Sequence, residues 1–250
     1  MPFLSLPNEI IFQISNYLDL HEYYSLLRCS HCLAGLLLPT LSNFTLVYPD
    51  TRGQRALQLA AERGDIAAIK SLIDLGVTAA MAKGNHIYHI CPSLAPIAIN
   101  TLLATGHFSI NACDSSRRTP LYYAAADNPV AVECLMSLGA DGNLEDDNYE
   151  TPLIIATQHN SSDIIRLLLT DARIDINGKD FEGRMALYWA AQIGYVEATA
   201  ALLEDGRIDV NFRGWLIFFT SFNVSALEVA RALGHDDVVQ MLLARPDIES

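Results

Sequence analysis

Basic residues are scarce: 16 Lys and Arg stand against 29 Asp and Glu, for a net charge of -13. Nucleic-acid phosphates are held by clustered positive charge, so no nucleic-acid partner is expected. Cysteines are few and odd in number (Cys29, Cys32, Cys91, Cys113 and Cys134), too sparse for a disulfide framework. With no secretory leader legible after Met1, they are expected to be reduced thiols of a cytoplasmic or nuclear protein. Long apolar runs are missing too: Leu33 to Pro39 and Trp215 to Phe219 fall far short of the ~20 residues that span a bilayer, so no membrane segment is expected. Zinc ligands occur as Cys29, His31 and Cys32 and as His86, His89 and Cys91. Neither group has the paired spacing of a closed four-ligand site, so neither a metal nor another cofactor is expected.

What is present is apolar matter, 51% of the chain, enough to bury a substantial core. The organising stretch is Asp114 to Asn143, DSSRRTPLYYAAADNPVAVECLMSLGADGN. Thr119 suits a helix N-cap and Pro120 the first helical position, where a missing N–H costs nothing. Leu121, Ala124 and Ala125 put small and apolar groups on one face. A second helix, expected over Val130 to Leu138, can then lie close before Gly139 ends it.

The run Thr119, Pro120, Leu121, Tyr122, Tyr123, Ala124, Ala125 resembles the ankyrin-repeat signature Thr-Pro-Leu-His-x-Ala-Ala, departing at the histidine position. The anchoring leucines Leu57, Leu121, Leu153, Leu187 and Leu227 lie 64, 32, 34 and 40 residues apart. A unit of about 33 residues therefore hides one extra repeat, anchored near Ile87, in the first gap. Six repeats are expected over residues 51–250. The second is irregular because Pro92 and Pro96 fall near its helix junction, and the sixth because of an aromatic insertion, FRGWLIFFTSFNV. That insertion reads as a longer finger or as a flap over the apolar face of repeat five.

Residues 3–41 differ, with large aliphatics in place of alanines. Pro7 and Glu9 open a helix carrying Ile10, Ile14, Tyr17 and Leu18; Asp19 and Glu22 have the layout of a capping box; Pro39 stops a third helix. This segment resembles an F-box, the motif that docks on the Skp adaptor of cullin-RING ubiquitin ligases. The resemblance gives Leu6, Pro7, Ile10, Ile14, Leu18 and Leu26 as adaptor-binding residues. A plainer reading makes the same helices a cap on the repeat array.

The fold class is thus all-α: an ankyrin-repeat solenoid with an N-terminal three-helix F-box-like cap. The resemblance implies the substrate-recognition subunit of a Skp-cullin-F-box type ubiquitin ligase, holding a protein target in a groove. Groove positions are Arg52, Arg63, Arg118, Asp127, Glu150, His159, Arg184 and Gln192, beside Asp147, Phe181 and Glu182, a surface polar and mixed in charge. The alternative is a pocket for a small molecule, lined by Tyr88, His89, Tyr122, Tyr188 and Trp189. Its bland counterpart is a set of buried tyrosines with satisfied hydroxyls. For catalysis the strongest constellation is His159 with Asp127, Glu150 and Arg118, a histidine that a carboxylate could orient. No nucleophile motif or phosphate loop accompanies it, so the reading leans to a non-enzymatic adaptor.

Overall fold

The computed structural model describes residues 109–215 and 223–248, together with Ala67, Lys70, Ile99, Asn100 and Leu103. The chain divides into two units, Met1–Ile87 and Tyr88–Ser250, and nearly all described residues belong to the second. The F-box-like segment 3–41, with its six adaptor-binding positions, lies outside the described residues. So do Arg52, Arg63, Tyr88, His89, both groups of zinc-ligand types and the insertion residues 216–222.

Four helix pairs follow one another. They are α1 (Pro120–Ala124) with α2 (Pro129–Ser137), α3 (Pro152–Gln158) with α4 (Ser162–Leu169), α5 (Ala186–Ile193) with α6 (Val196–Leu203), and α7 (Ala226–Leu233) with α8 (Asp236–Leu243). First helices pack in one row, α1 to α3 to α5 to α7, and second helices in another, α2 to α4 to α6 to α8. Alanine makes the first row possible. Ala124, Ala125, Ala156, Ala190, Ala191 and Ala230 have no exposed surface, and larger side chains there would push the helices apart. Leu121, Leu153, Leu187 and Leu227 supply the core beside them, each 1% exposed.

The helix starts follow the expected chemistry. Thr119 Oγ1 accepts from the Tyr122 N–H at 3.1 Å, Thr151 Oγ1 from Ile154 at 3.4 Å and Ser225 Oγ from Glu228 at 3.2 Å. Ser225 and Glu228 close a full capping box. The second helix of repeat three begins at Pro129, capped by Asn128, one residue before the expected Val130. From its anchoring leucine to the start of its second helix, repeat three is one residue shorter than repeats four, five and six: Leu121 to Pro129 against Leu153 to Ser162, Leu187 to Val196 and Leu227 to Asp236. Repeats four, five and six place Asn160, Gly194 and Gly234 between their helices with φ of 53°, 84° and 76°; repeat three has no left-handed residue in this turn, and α1 is only five residues long.

Repeats three, four and five each open with a hairpin built on a buried aspartate. Asp114 Oδ1 accepts from the backbone N–H groups of Ser116 and Arg118, Asp146 Oδ1 from Asn148 and Glu150, and Asp180 Oδ1 from Glu182 and Arg184, all at 2.8–3.0 Å. The side chain thus satisfies the donors of a tight turn whose fourth residue (Arg117, Tyr149, Gly183) is left-handed. In repeat six, β1 (Arg213–Trp215) pairs antiparallel with β2 (Asn223–Ser225), Arg213 opposite Ser225. Repeat five has a single bridge at the equivalent place, Lys179 to Met185. The extra residues of the sixth repeat therefore enter within its hairpin.

On the opposite side of the helices an asparagine ladder ties repeat to repeat. Asn111, Asn143 and Asn177 each accept on Oδ1 from the N–H of Asp141, Asp175 and Asp209 in the following repeat, at 2.8–2.9 Å. Asn143, Asn177 and Asn211 donate forward from Nδ2 to the carbonyls of Arg173, Arg207 and Asp247. Backbone polar groups in these loops are thereby paired without a sheet.

Candidate protein-recognition face

Hairpin tips and the adjoining first helices form one continuous face. Its tips are stapled through backbone: the Asp147 N–H donates to the Ser116 carbonyl at 3.0 Å and the Phe181 N–H to the Asn148 carbonyl at 2.9 Å. Neighbouring tips are thus held in register, and what they display is fixed. Tyr149 and Phe181, on consecutive tips, are half exposed, at 50% and 52%. Sequence reasoning placed Phe181 here and missed Tyr149, whose left-handed backbone turns it outward.

The two expected groove arginines among the described residues, Arg118 and Arg184, are paired within the protein itself. Arg118 Nε lies 3.4 Å from Asp146 Oδ2, and its guanidinium sits 5.3 Å from the Tyr122 ring centroid. Arg184 is 2.8 Å from both Asp180 and Glu182, stacks 3.9 Å from the Trp189 ring and keeps 12% of its side chain exposed. Trp189 Nε1 also donates to Asp180 Oδ2 at 3.0 Å. Asp127, Asp147 and Glu150, by contrast, have no cationic partner among the described residues. Among the described residues, then, Arg118 and Arg184 are paired within the protein, Asp127 and Asp147 are exposed, and Arg117 and Lys179 are exposed cations of the hairpins.

The tyrosines divide. Tyr122 is buried, and its hydroxyl donates between Asp146 Oδ2 at 3.1 Å and Glu150 Oε2 at 3.4 Å, both in the next repeat. Burial, then the two carboxylates, raise its pKa well above the usual phenol value. Tyr123 donates to Asp114 Oδ2 at 2.6 Å, and burial followed by that bond pushes its pKa up to about 12. Tyr188 is 2% exposed, yet among the described residues its hydroxyl has no hydrogen-bond partner, nor has the buried Gln192 Oε1 one turn along α5. The cause lies in the next hairpin. Where repeat four offers Asp146 and Glu150 to Tyr122, repeat six has Val224 in the glutamate's place and the insertion where the aspartate would stand. Satisfied interior packing therefore describes Tyr122 and not Tyr188.

The catalytic constellation is not assembled among the described residues. His159 is exposed at the end of α3, with Nδ1 3.0 Å from the Ile155 carbonyl. Glu150 accepts from Gln158 Nε2 at 2.6 Å, Arg118 pairs with Asp146, and neither Glu150 nor Asp127 hydrogen-bonds the imidazole. Cys134 is buried, and burial beside Glu133 raises its thiol pKa, the opposite of nucleophile activation. An open groove of about 570 Å³ lies on the second-helix side, lined by Glu133, Met136, Ser137, Leu167, Thr170, Asp171, Ala172 and Arg173, with no aromatic residue. No group of three or more potential metal ligands and no helix long and apolar enough to cross a membrane occur among the described residues.

Residues 95–180 match ankyrin repeats in three copies, and residues 182–215 match a further ankyrin repeat. Residues 95–180 and 182–215 are therefore ankyrin repeats, and the described residues are helical with little strand. Alpha-latroinsectotoxin-Lt1a of Latrodectus tredecimguttatus is 33% identical over 103 residues, 41% of this chain and 7% of that protein. Neurogenic locus notch homolog protein 2 of Homo sapiens is 30% identical over 161 residues, 63% and 5%. B-cell lymphoma 3 protein homolog of Mus musculus is 29% identical over 126 residues, 48% and 28%. The chain thus spans at most 28% of the length of these relatives, and the likeness is one of repeats.

Proposed function

We propose that this chain is a non-catalytic substrate receptor: the ankyrin face holds a protein target, and residues 3–41 join it to a Skp-type adaptor of a ubiquitin ligase. The observation that supports target binding is the stapled row of tips presenting Tyr149 and Phe181 half exposed. Large aromatic groups on a rigid frame are the usual anchors of protein interfaces. The adaptor half rests on the F-box-like sequence around Leu6, Pro7, Ile10, Ile14, Leu18 and Leu26. In this reading the domains are 3–41 and 51–250, and the protein supplies position while the ligase supplies bond chemistry.

Titration calorimetry of the full chain with a purified Skp-type adaptor tests it. Binding that is lost in the double variant Leu6→Ala, Pro7→Ala is the expected result. Absence of binding at tens of micromolar sinks the ligase reading and leaves residues 3–41 as a cap. One observation favours a small-molecule site instead: the buried Tyr188 hydroxyl and Gln192 carbonyl, without partners among the described residues, a pair a polar ligand would satisfy.

A further inference from the structure

We infer that the segment this face takes from its protein partner is basic, an extended stretch carrying arginine or lysine. The inference rests on the target-binding role proposed above and names the chemistry of the partner. Its basis is the way the protein spends its own charges. Arg184 is closed in by Asp180, Glu182 and the Trp189 ring, and Arg118 by Asp146 and the Tyr122 ring. To meet an acidic ligand Arg184 would have to give up Asp180 and Glu182, and Arg118, with 35% of its side chain exposed, would have to turn from Asp146 at 3.4 Å. Asp127 in repeat three and Asp147 and Glu150 in repeat four have no counter-ion among the described residues, the last two on the same hairpin as Tyr149 and one repeat before Phe181.

An aromatic face attracts a cation through its ring quadrupole, and a nearby carboxylate adds charge complementarity that selects partner and register. A guanidinium set across Tyr149 and Phe181 would reproduce between molecules what Arg184 and Trp189 already do within this one. An acidic segment would meet Asp147 and Glu150 as like charges, with Arg117 and Lys179 as exposed cations left to receive it among the described hairpins. A purely apolar segment would leave those carboxylates desolvated and unpaired, which costs more than the aromatic contact returns. The basic segment is the occupant that satisfies all of these groups together.

The test uses the full chain at about 0.15 M ionic strength, where distant charges are screened. A short fluorescent peptide of alternating arginine and glycine is titrated by anisotropy against its glutamate–glycine counterpart. The arginine peptide is expected to bind and the glutamate peptide not. Two exposed cation–aromatic contacts correspond to a weakening of about five- to thirtyfold in the double variant Tyr149→Asn, Phe181→Ser, asparagine being chosen because it tolerates the left-handed backbone. Asp147→Lys should weaken binding by about tenfold or more. Asp237→Lys makes the same change of charge on the exposed first turn of α8 and should leave binding unchanged. Equal loss in Asp237→Lys and Asp147→Lys reduces the effect to bulk charge and overturns the inference, as does preference for the glutamate peptide. If the tip variant abolishes binding of both peptides alike, the face is a binding face but the basic class is wrong. If the arginine peptide binds and the tip variant is silent, the face itself is wrong.

Discussion

Replacing Asp146 by alanine probes a repeat junction where four hydrogen bonds converge on one buried carboxylate. The side chain is almost wholly buried; Oδ1 accepts from Asn148 and Glu150, and Oδ2 from Tyr122 at 3.1 Å and Arg118 at 3.4 Å. Asp146→Ala leaves two turn N–H groups without their acceptor, at about 1–3 kcal/mol for each that water cannot reach. Tyr122 keeps Glu150 as a second acceptor and Arg118 is partly exposed, so those two losses are cushioned. We expect a net destabilisation of about 3–5 kcal/mol, in the range for breaking a buried pair by removing one member. Asp146→Asn, which keeps Oδ1, should cost about half as much. Urea denaturation followed by circular dichroism reads the midpoint, and amide exchange shows whether repeats three and four open together. Tyr122→Phe in the same background should couple to Asp146→Ala by at least about 0.5 kcal/mol. A loss below about 1 kcal/mol for Asp146→Ala would refute the view that the aspartate organises the hairpin.

Other perturbations follow from single contacts. Gly194 and Gly234 are both left-handed, but a Cβ on Gly194 would stand 2.5 Å from the His235 ring while one on Gly234 meets open space. Gly234→Ala should therefore cost about 1–2 kcal/mol and Gly194→Ala distinctly more, measured by thermal melting. Glu228→Ala breaks the capping box and the ion pair to Arg213, with an expected loss of about 1 kcal/mol. The Ser225 N–H, then Arg213, hold the Glu228 carboxyl below its usual value, so its contribution is present above the ordinary carboxylate range and fades as pH falls through the lowered value. Asp171 behaves likewise: its bond from Arg173 lowers it to about 2, so acid unfolding should begin at higher pH in Arg173→Ala. Tyr123 has the reverse sign. Its stabilisation is complete below about pH 10, the ordinary phenol value, and is lost as pH rises through about 12, so its tyrosinate absorbance should lag behind that of exposed tyrosines.

Much of this fold was legible because its signals are local. Thr119, Pro120 and Ser225 begin helices through chemistry that needs only a few neighbouring residues, and the leucine spacing fixes the repeat unit. The ladders were overlooked although their signal was present. Asn111, Asn143, Asn177 and Asn211 recur at repeat spacing, as do Asp114, Asp146 and Asp180, but polar residues in loops carry no hydrophobic period to draw attention. The start of α2 shifted because one residue fewer separates it from Leu121 than separates the later second helices from their leucines, which the spacing of the leucines alone does not locate.

The charge of the face was harder to read for a different reason. Sequence supplies Arg118 and Arg184 as formal charges and is silent on which carboxylate each has already taken. That depends on Asp146 reaching Arg118 from the next repeat and on Asp180 turning back beneath Arg184. Tyr122 and Tyr188 make the same point: one signature position has two outcomes, decided by whether the following hairpin offers its aspartate and glutamate.

Site-specific photo-cross-linking tests the recognition face most directly. A photoreactive amino acid is placed at Tyr149 or Phe181 in one set of full-length chains and at Leu167 or Leu243, on the second helices, in another. Protein adducts should form from the tip positions and not from the second helices, and should be lost when Asp147→Lys is added. Adducts confined to Leu167 or Leu243, or formed equally on both sides, would contradict the account.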